Sequence, residues 1–160
     1  MQNFRTDVAK DWTAGHTRFE APTPPWRSAL LHLVTPHDIQ SLRTALAHGR
    51  LPPDFEAKLA RLHEGDLIHR YVEQNSRLFF VLLIAALESA FTGSTPADRE
   101  RLLRVLAYVR KDDDAIPDYR PGGFLDDQQE VRAAAKELAH VLHAFKVWRL
   151  RHQVPAMWPV

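Results

Sequence analysis

The sequence predicts an all-α protein, a compact bundle of five to six helices around a buried helix at 66–91. Three observations carry this. Between Trp26 and Arg151 the apolar residues recur at three- and four-residue spacing, the period of a helix with one face on a core. No stretch alternates apolar and polar residues, and no Asn-Gly or Asp-Gly pair offers a hairpin, so no strand is expected. The chain has eleven prolines, and none falls inside a periodic stretch, as a set of intact helices requires.

The elements follow in order. Residues 1–24 form a polar N-terminal arm, closed by Pro22, Pro24 and Pro25. A first helix is expected at 25–34. A second, at 36–48, is announced by Thr35, Pro36 and Asp38: a capping hydroxyl, a proline at the first helical position and an acid at the third. Pro52 and Pro53 open a third at 53–63. The fourth, at 66–91, starts amphipathic and turns apolar nearly all round at LFFVLLIAAL, residues 78–87. Ten apolar residues fall well short of the ~20 that span a bilayer, so this half is read as the centre of the core and not as a membrane anchor. Thr95, Pro96 and Asp98 repeat the capping signal for a helix at 96–111. The last helix, at 126–152, carries one apolar stripe: Val131, Ala134, Ala135, Leu138, Val141, Leu142, Phe145 and Trp148. Gly49, Gly65 and Gly93 stand where C-terminal caps are wanted, and 153–160 is a tail.

At 160 residues the chain fits one domain, which would bury roughly 70% of the surface its unfolded form exposes. Net charge is +1, so no global field gathers nucleic acid or an anionic membrane, and no nucleic-acid partner is expected. Cysteine is absent. That excludes disulfides, thiolate metal sites and a cysteine nucleophile, and suits a reducing compartment. The first twelve residues lack the apolar core of a secretory signal. A cytoplasmic location is the expectation.

One segment stands apart. Residues 111–131 read KDDDAIPDYRPGGFLDDQQEV, with Asp112, Asp113, Asp114, Asp118, Asp126 and Asp127 inside sixteen residues. Pro117 and Pro121 stiffen it, and Gly122 with Gly123 permits a sharp turn. Two readings compete. In the first, Asp126 or Asp127 caps the last helix, and the spacing from Asp127 to Glu130 offers a reciprocal capping box; the remaining acids pair with Arg110, Lys111 and other cations. In the second, clustered carboxylates on a stiff loop hold a hard divalent cation, Mg²⁺ or Ca²⁺. The candidate ligands are Asp114, Asp118, Asp126 and Asp127. The loop is no EF-hand: counted from Asp112, Pro117 replaces the turn glycine and Gly123 the closing glutamate.

Tyr108, Asp114, Ile116, Pro117, Asp118, Pro121, Gly123, Leu125, Asp126 and Asp127 together resemble the short bacterial motif of the domain of unknown function 1232 family. The resemblance runs from near Leu102 to about Ala139, a quarter of the chain. It departs from the family pattern at Asp112, Asp113 and Arg120, and the step from Pro121 to Asp126 is one residue short. It implies a helix–acidic turn–helix unit with Asp114, Asp118, Asp126 and Asp127 as its characteristic residues. It implies no activity. The membrane proximity suggested for many relatives makes a peripheral membrane protein a third functional class.

Other constellations are weaker. Asp66 with His69, and Glu137 with His140, have the carboxylate–histidine spacing of bundle metal sites, but both pairs lie away from the apolar stripe of their helix. Asp66 reads as an N-cap. His140 and His143 lack a third ligand. Arg99, Arg101, Arg104, Arg110, Lys111, Lys136, Lys146, Arg149 and Arg151 concentrate near the C-terminus, with interspersed acids that balance them. Asn75 falls on an apolar face, where it needs a partner such as a backbone carbonyl. No catalytic residue is singled out and no obligatory cofactor is expected. The sequence therefore points to a non-enzymatic interaction or structural module, acting through a protein partner or its own copy. Its alternative is a metal-dependent, hydrolase-like enzyme using the acidic loop 112–127.

Overall fold

The computed structural model describes residues 33–62 and 65–154. The expected N-terminal arm, all but the end of the expected helix at 25–34, and residues 155–160 lie outside them. Among the described residues there are six helices and no strand. They are α1 (Pro36–Ala47), α2 (Pro53–Ala60), α3 (Leu67–Leu87), α4 (Pro96–Val109), α5 (Leu125–Glu137) and α6 (Ala139–His152).

The starts of these helices follow from local chemistry. Thr35 and Thr95 each accept from the N–H of the third helical residue, while Asp38 and Asp98 reach back to the cap N–H. These are complete capping boxes. Asp66 caps α3 through Oδ1, which accepts from Ile68 N at 2.7 Å and His69 N at 3.2 Å. Two helix ends differ from expectation. Helix α3 stops at Leu87, because Ser89 takes the left-handed conformation (φ 59°). The N–H of Ala90 then closes on Ala85 O at 2.9 Å, a Schellman end built on serine instead of glycine. Helix α2 stops at Ala60, so Gly65 caps nothing; Gly49, at φ 65°, does follow α1 as expected.

The expected helix at 126–152 is two helices meeting at Leu138 (φ −98°, ψ 17°). Val131, Leu138 and Phe145 are seven residues apart and all buried. A straight helix drifts by about 20° per heptad against such a repeat, and the bend at Leu138 returns both halves of the stripe to the core.

Helix α3 is the centre. From Phe79 to Ala86 every side chain is buried, and α3 packs chiefly on α4 and α5. Fully burying one Leu or Phe contributes about 1.5–3 kcal/mol, so this stretch of about two helical turns supplies a large share of the apolar driving force. No helix among the described residues is long and apolar enough to cross a membrane. Asn75 donates to Tyr71 O at 2.8 Å. The basic residues of α4 are engaged: Arg101 with Glu137 at 2.9 Å, Arg104 with Glu100 at 3.1 Å and Arg110 with Asp54 at 2.6 Å. His140 stays on the solvent side, 3.8 Å from Asp98.

Candidate metal centre

The loop between α4 and α5 is folded back on itself by its own backbone. Asp118 N donates to Asp112 O, Arg120 N to Pro117 O, and Gly123 N to Arg120 O. Gly123 is the tightest point. A Cβ there would lie 2.6 Å from Asp118 Cα and 2.7 Å from Pro117 O, so only glycine permits the chain to cross itself. This crossing carries Asp114 and Asp118 over the start of α5.

Asp126 and Asp127 are the second and third residues of α5, and neither caps it. The N-cap position belongs to Phe124, and no side chain accepts there. The expected capping role is therefore corrected. Both carboxylates instead point inward: Asp126 is 3% exposed and Asp127 is 0% exposed. Their place in the first helical turn still sets them against the positive end of the helix dipole.

Asp114, Asp126 and Asp127 converge. One carboxylate oxygen of each lies within 4.8 Å of the others. Oxygens on opposite sides of a hard divalent cation are separated by about twice the metal–oxygen bond, roughly 4–5 Å, so the three oxygens fit around one ion. Asp118 is not in this group; its Oδ2 is 2.8 Å from Lys58 Nζ. Asp112 and Asp113 splay outward, and Asp112 pairs with Arg61 at 2.6 Å.

The donors around the group hold some oxygens and leave others bare. Tyr108 OH donates to Asp126 Oδ2 at 2.6 Å, and Ile116 N donates to the same oxygen at 3.2 Å. Lys58 Nζ lies 3.3 Å from Asp127 Oδ2. Asp126 Oδ1 and both oxygens of Asp114, Asp118 and Asp127 are buried without a hydrogen-bond donor, Lys58 meeting Asp118 Oδ2 and Asp127 Oδ2 as ion pairs. Buried oxygens without donors are uncommon in folded chains. Here they belong to four neighbouring carboxylates, of which Asp126 alone is held by donated hydrogen bonds.

The electrostatics follow from the crowding. Four carboxylates face one ammonium. Burial, and then the charge of Asp126, push the Asp114 carboxyl up to about 7. Burial lifts Asp118 to about 6 against the opposing pull of Lys58. Asp127 is raised well above the ordinary carboxylate range by burial, with Asp114, Asp118 and Asp126 adding to it and Lys58 opposing. Burial and the bond to Asp126 also raise the Tyr108 hydroxyl, which stays a donor. Such a group takes up either protons or a cation of higher charge.

Lys58 was not among the residues singled out from sequence, although a signal exists. Phe55 and Leu59 form the buried stripe of α2, Leu62 is buried just past its end, and Lys58 falls on the same face, 1% exposed. A lysine on an apolar stripe must find oxygens inside the protein.

A second polar feature, a cleft of about 270 Å³, is lined by His37, Asp38, Ser41, Asp54, Ala107, Arg110 and Lys111. Its cations are already engaged: Arg110 by Asp54 and Ser41, Lys111 by Asp38 and Leu33 O. It offers a ligand no bare charge.

No family model matches this chain, and no curated protein or solved structure matches it.

Proposed function

We propose that this chain is a small, non-enzymatic helical module whose α4–turn–α5 joint binds one hard divalent cation. The ligands are Asp114, Asp126 and Asp127, with Asp118 beside them on Lys58. The observation that carries the reading is Asp127, a carboxylate with no exposed surface and no hydrogen-bond donor on either oxygen, one oxygen of which lies within 4.8 Å of an oxygen of Asp114 and an oxygen of Asp126. Oxygen-only ligands favour Mg²⁺, Ca²⁺ or Mn²⁺ over softer metals. The reading is one of binding because the nearby proton donors, Tyr108 and Lys58, are spent on holding carboxylates. Within the same proposal, residues 102–139 form a unit of the domain of unknown function 1232 type. The side chains of Tyr119 and Leu125, 77% and 39% exposed on the outer side of the turn, face a protein partner.

The test is thermal unfolding with chelator and with millimolar Mg²⁺, Ca²⁺ or Mn²⁺. Wild type rises with cation as RT ln(1 + [L]/Kd) requires. Asp114→Asn and Asp127→Ala lose the rise; Asp118→Asn keeps it. A wild-type midpoint that ignores all three cations overturns the proposal.

A further inference from the structure

The acidic joint has two lobes that share Asp127. In the open lobe, one carboxylate oxygen each of Asp114, Asp126 and Asp127 lies within 4.8 Å of the others, and neither oxygen of Asp114 has a hydrogen-bond donor. In the other, Lys58 Nζ meets Asp118 Oδ2 at 2.8 Å and Asp127 Oδ2 at 3.3 Å, and donates to Lys111 O. We propose that Lys58 is a resident cation filling the second of two adjacent cation positions, so that the joint is held to a single added divalent ion. This rests on the cation reading of the open lobe.

Several observations support the assignment. An ammonium has three N–H donors, and three protein oxygens surround this one. It is 1% exposed. Its head also lies 5.5 Å from the centroid of the Phe124 ring, a further interaction open to a cation. The stem reaches this place from the apolar face of α2, so the charge is delivered by an element outside the acidic turn. The oxygens around Nζ — two carboxylates and a carbonyl — are those a hard cation would select. Carboxylate-bridged pairs of metal ions sit about 3.5–4 Å apart; here the bridging carboxylate is Asp127 and one of the two ions is the lysine head. A lysine in that position makes the centre mononuclear. It also keeps four clustered carboxylates tolerable when no metal is bound, because an uncompensated buried charge is strongly destabilising.

The experiment is equilibrium dialysis against Mn²⁺ with metal analysis, paired with thermal unfolding in chelator and in Mn²⁺. The proteins are wild type, Lys58→Arg, Lys58→Ala and the double variant Lys58→Ala with Asp118→Asn. Wild type and Lys58→Arg bind one Mn²⁺. Lys58→Ala binds two, and its midpoint falls in chelator and recovers in Mn²⁺. The double variant, with one carboxylate fewer in the emptied lobe, binds one and is again folded in chelator. One Mn²⁺ in both wild type and Lys58→Ala leaves the cation reading standing and overturns the role of Lys58. None in wild type and one in Lys58→Ala does the reverse. None in either removes both, and two in wild type overturns the role of Lys58. If Lys58→Ala folds under neither condition, recovery of the double variant supports the charge argument. Failure of the double variant shows that the side chain is needed for packing alone, and the proposal falls.

Discussion

Tyr108, at the end of α4, and Asp126, in the first turn of α5, are joined inside the protein: the phenol donates to Asp126 Oδ2 at 2.6 Å, and neither residue is more than 3% exposed. The bond ties the two helices across an eighteen-residue separation. It also leaves Oδ1 as the oxygen of Asp126 without a donor. Tyr108→Phe keeps the ring and removes the donor. Hydrogen bonds to a charged group contribute about 1.5–3 kcal/mol, so the variant should lose stability of that order in urea unfolding, with an unchanged denaturant slope. A loss under about 0.5 kcal/mol, the range of ordinary surface changes, would contradict the buried bond.

Gly123 makes a separate prediction, because it acts through backbone approach and not through charge. Its missing Cβ is where Asp118 Cα and Pro117 O already lie. Gly123→Ala must push the two strands of the loop apart. Forcing extra atoms into a packed site costs about 1–3 kcal/mol, and the displacement moves Asp118 away from Lys58. Urea unfolding should show the loss in chelator and in Mg²⁺ alike. A variant as stable as wild type would mean that the loop does not cross itself at this point.

Much of this was legible in the sequence where the physics is local. The two capping boxes needed only Thr35 with Asp38 and Thr95 with Asp98, three residues apart. The buried centre at 78–87 needed only a run of apolar residues. The stripe from Val131 to Phe145 was legible too, but its bend at Leu138 was not, since no proline or glycine marks it. The bend comes from fitting a heptad repeat to a shared core, which is a property of the assembled bundle. The acidic joint shows the same division. Spacing made Asp126 and Asp127 look like caps, because a cap is the local explanation of an acid at a helix start. Their burial depends on α2 and on the crossing at Gly123, far away in sequence or settled only in space. Lys58, 53 residues before the carbonyl it bonds, had a sequence signal in its apolar neighbours but no indication of its partners.

The acid–base behaviour of the joint predicts an unusual pH profile. Asp114 and Asp118 have folded values raised from the ordinary 3.8 to about 7 and about 6. The folded protein thus holds protons that the unfolded chain releases. Their stabilising contribution is full below pH ~4 and is lost as pH rises through ~6–7. Asp38, Asp54 and Asp98 are lowered, each by the hydrogen bonds and charges that outweigh its burial, and their contribution is lost only as pH falls below the ordinary range. In chelator the unfolding midpoint should therefore decline between pH 5 and pH 7.5. With saturating Mg²⁺ the slope should reverse, because a cation needs the ionised carboxylates. Parallel profiles with and without cation would show that protons and cation do not compete for these groups.

Asp114 gives the sharpest prediction, because one substitution should raise stability and abolish binding. Both of its oxygens are buried and lack a donor, and Asp126 and Asp118 add negative charge beside it. Only the charge of Lys58 opposes that arrangement in the cation-free protein. Asp114→Asn removes the charge, keeps the shape and supplies an amide that can donate to a neighbouring carboxylate. At pH 7.5 in chelator the variant should be more stable than wild type. The gain is on the order of 1 kcal/mol, after allowing for solvent screening at a residue that is only half-buried as a whole. In millimolar cation the ranking should invert, since wild type gains the binding free energy and the variant does not. A residue that costs stability until its ligand arrives is the pattern expected of a binding site under the general trade between stability and function. A variant less stable than wild type in chelator would instead make Asp114 a structural acid, held by contacts that favour its charged form.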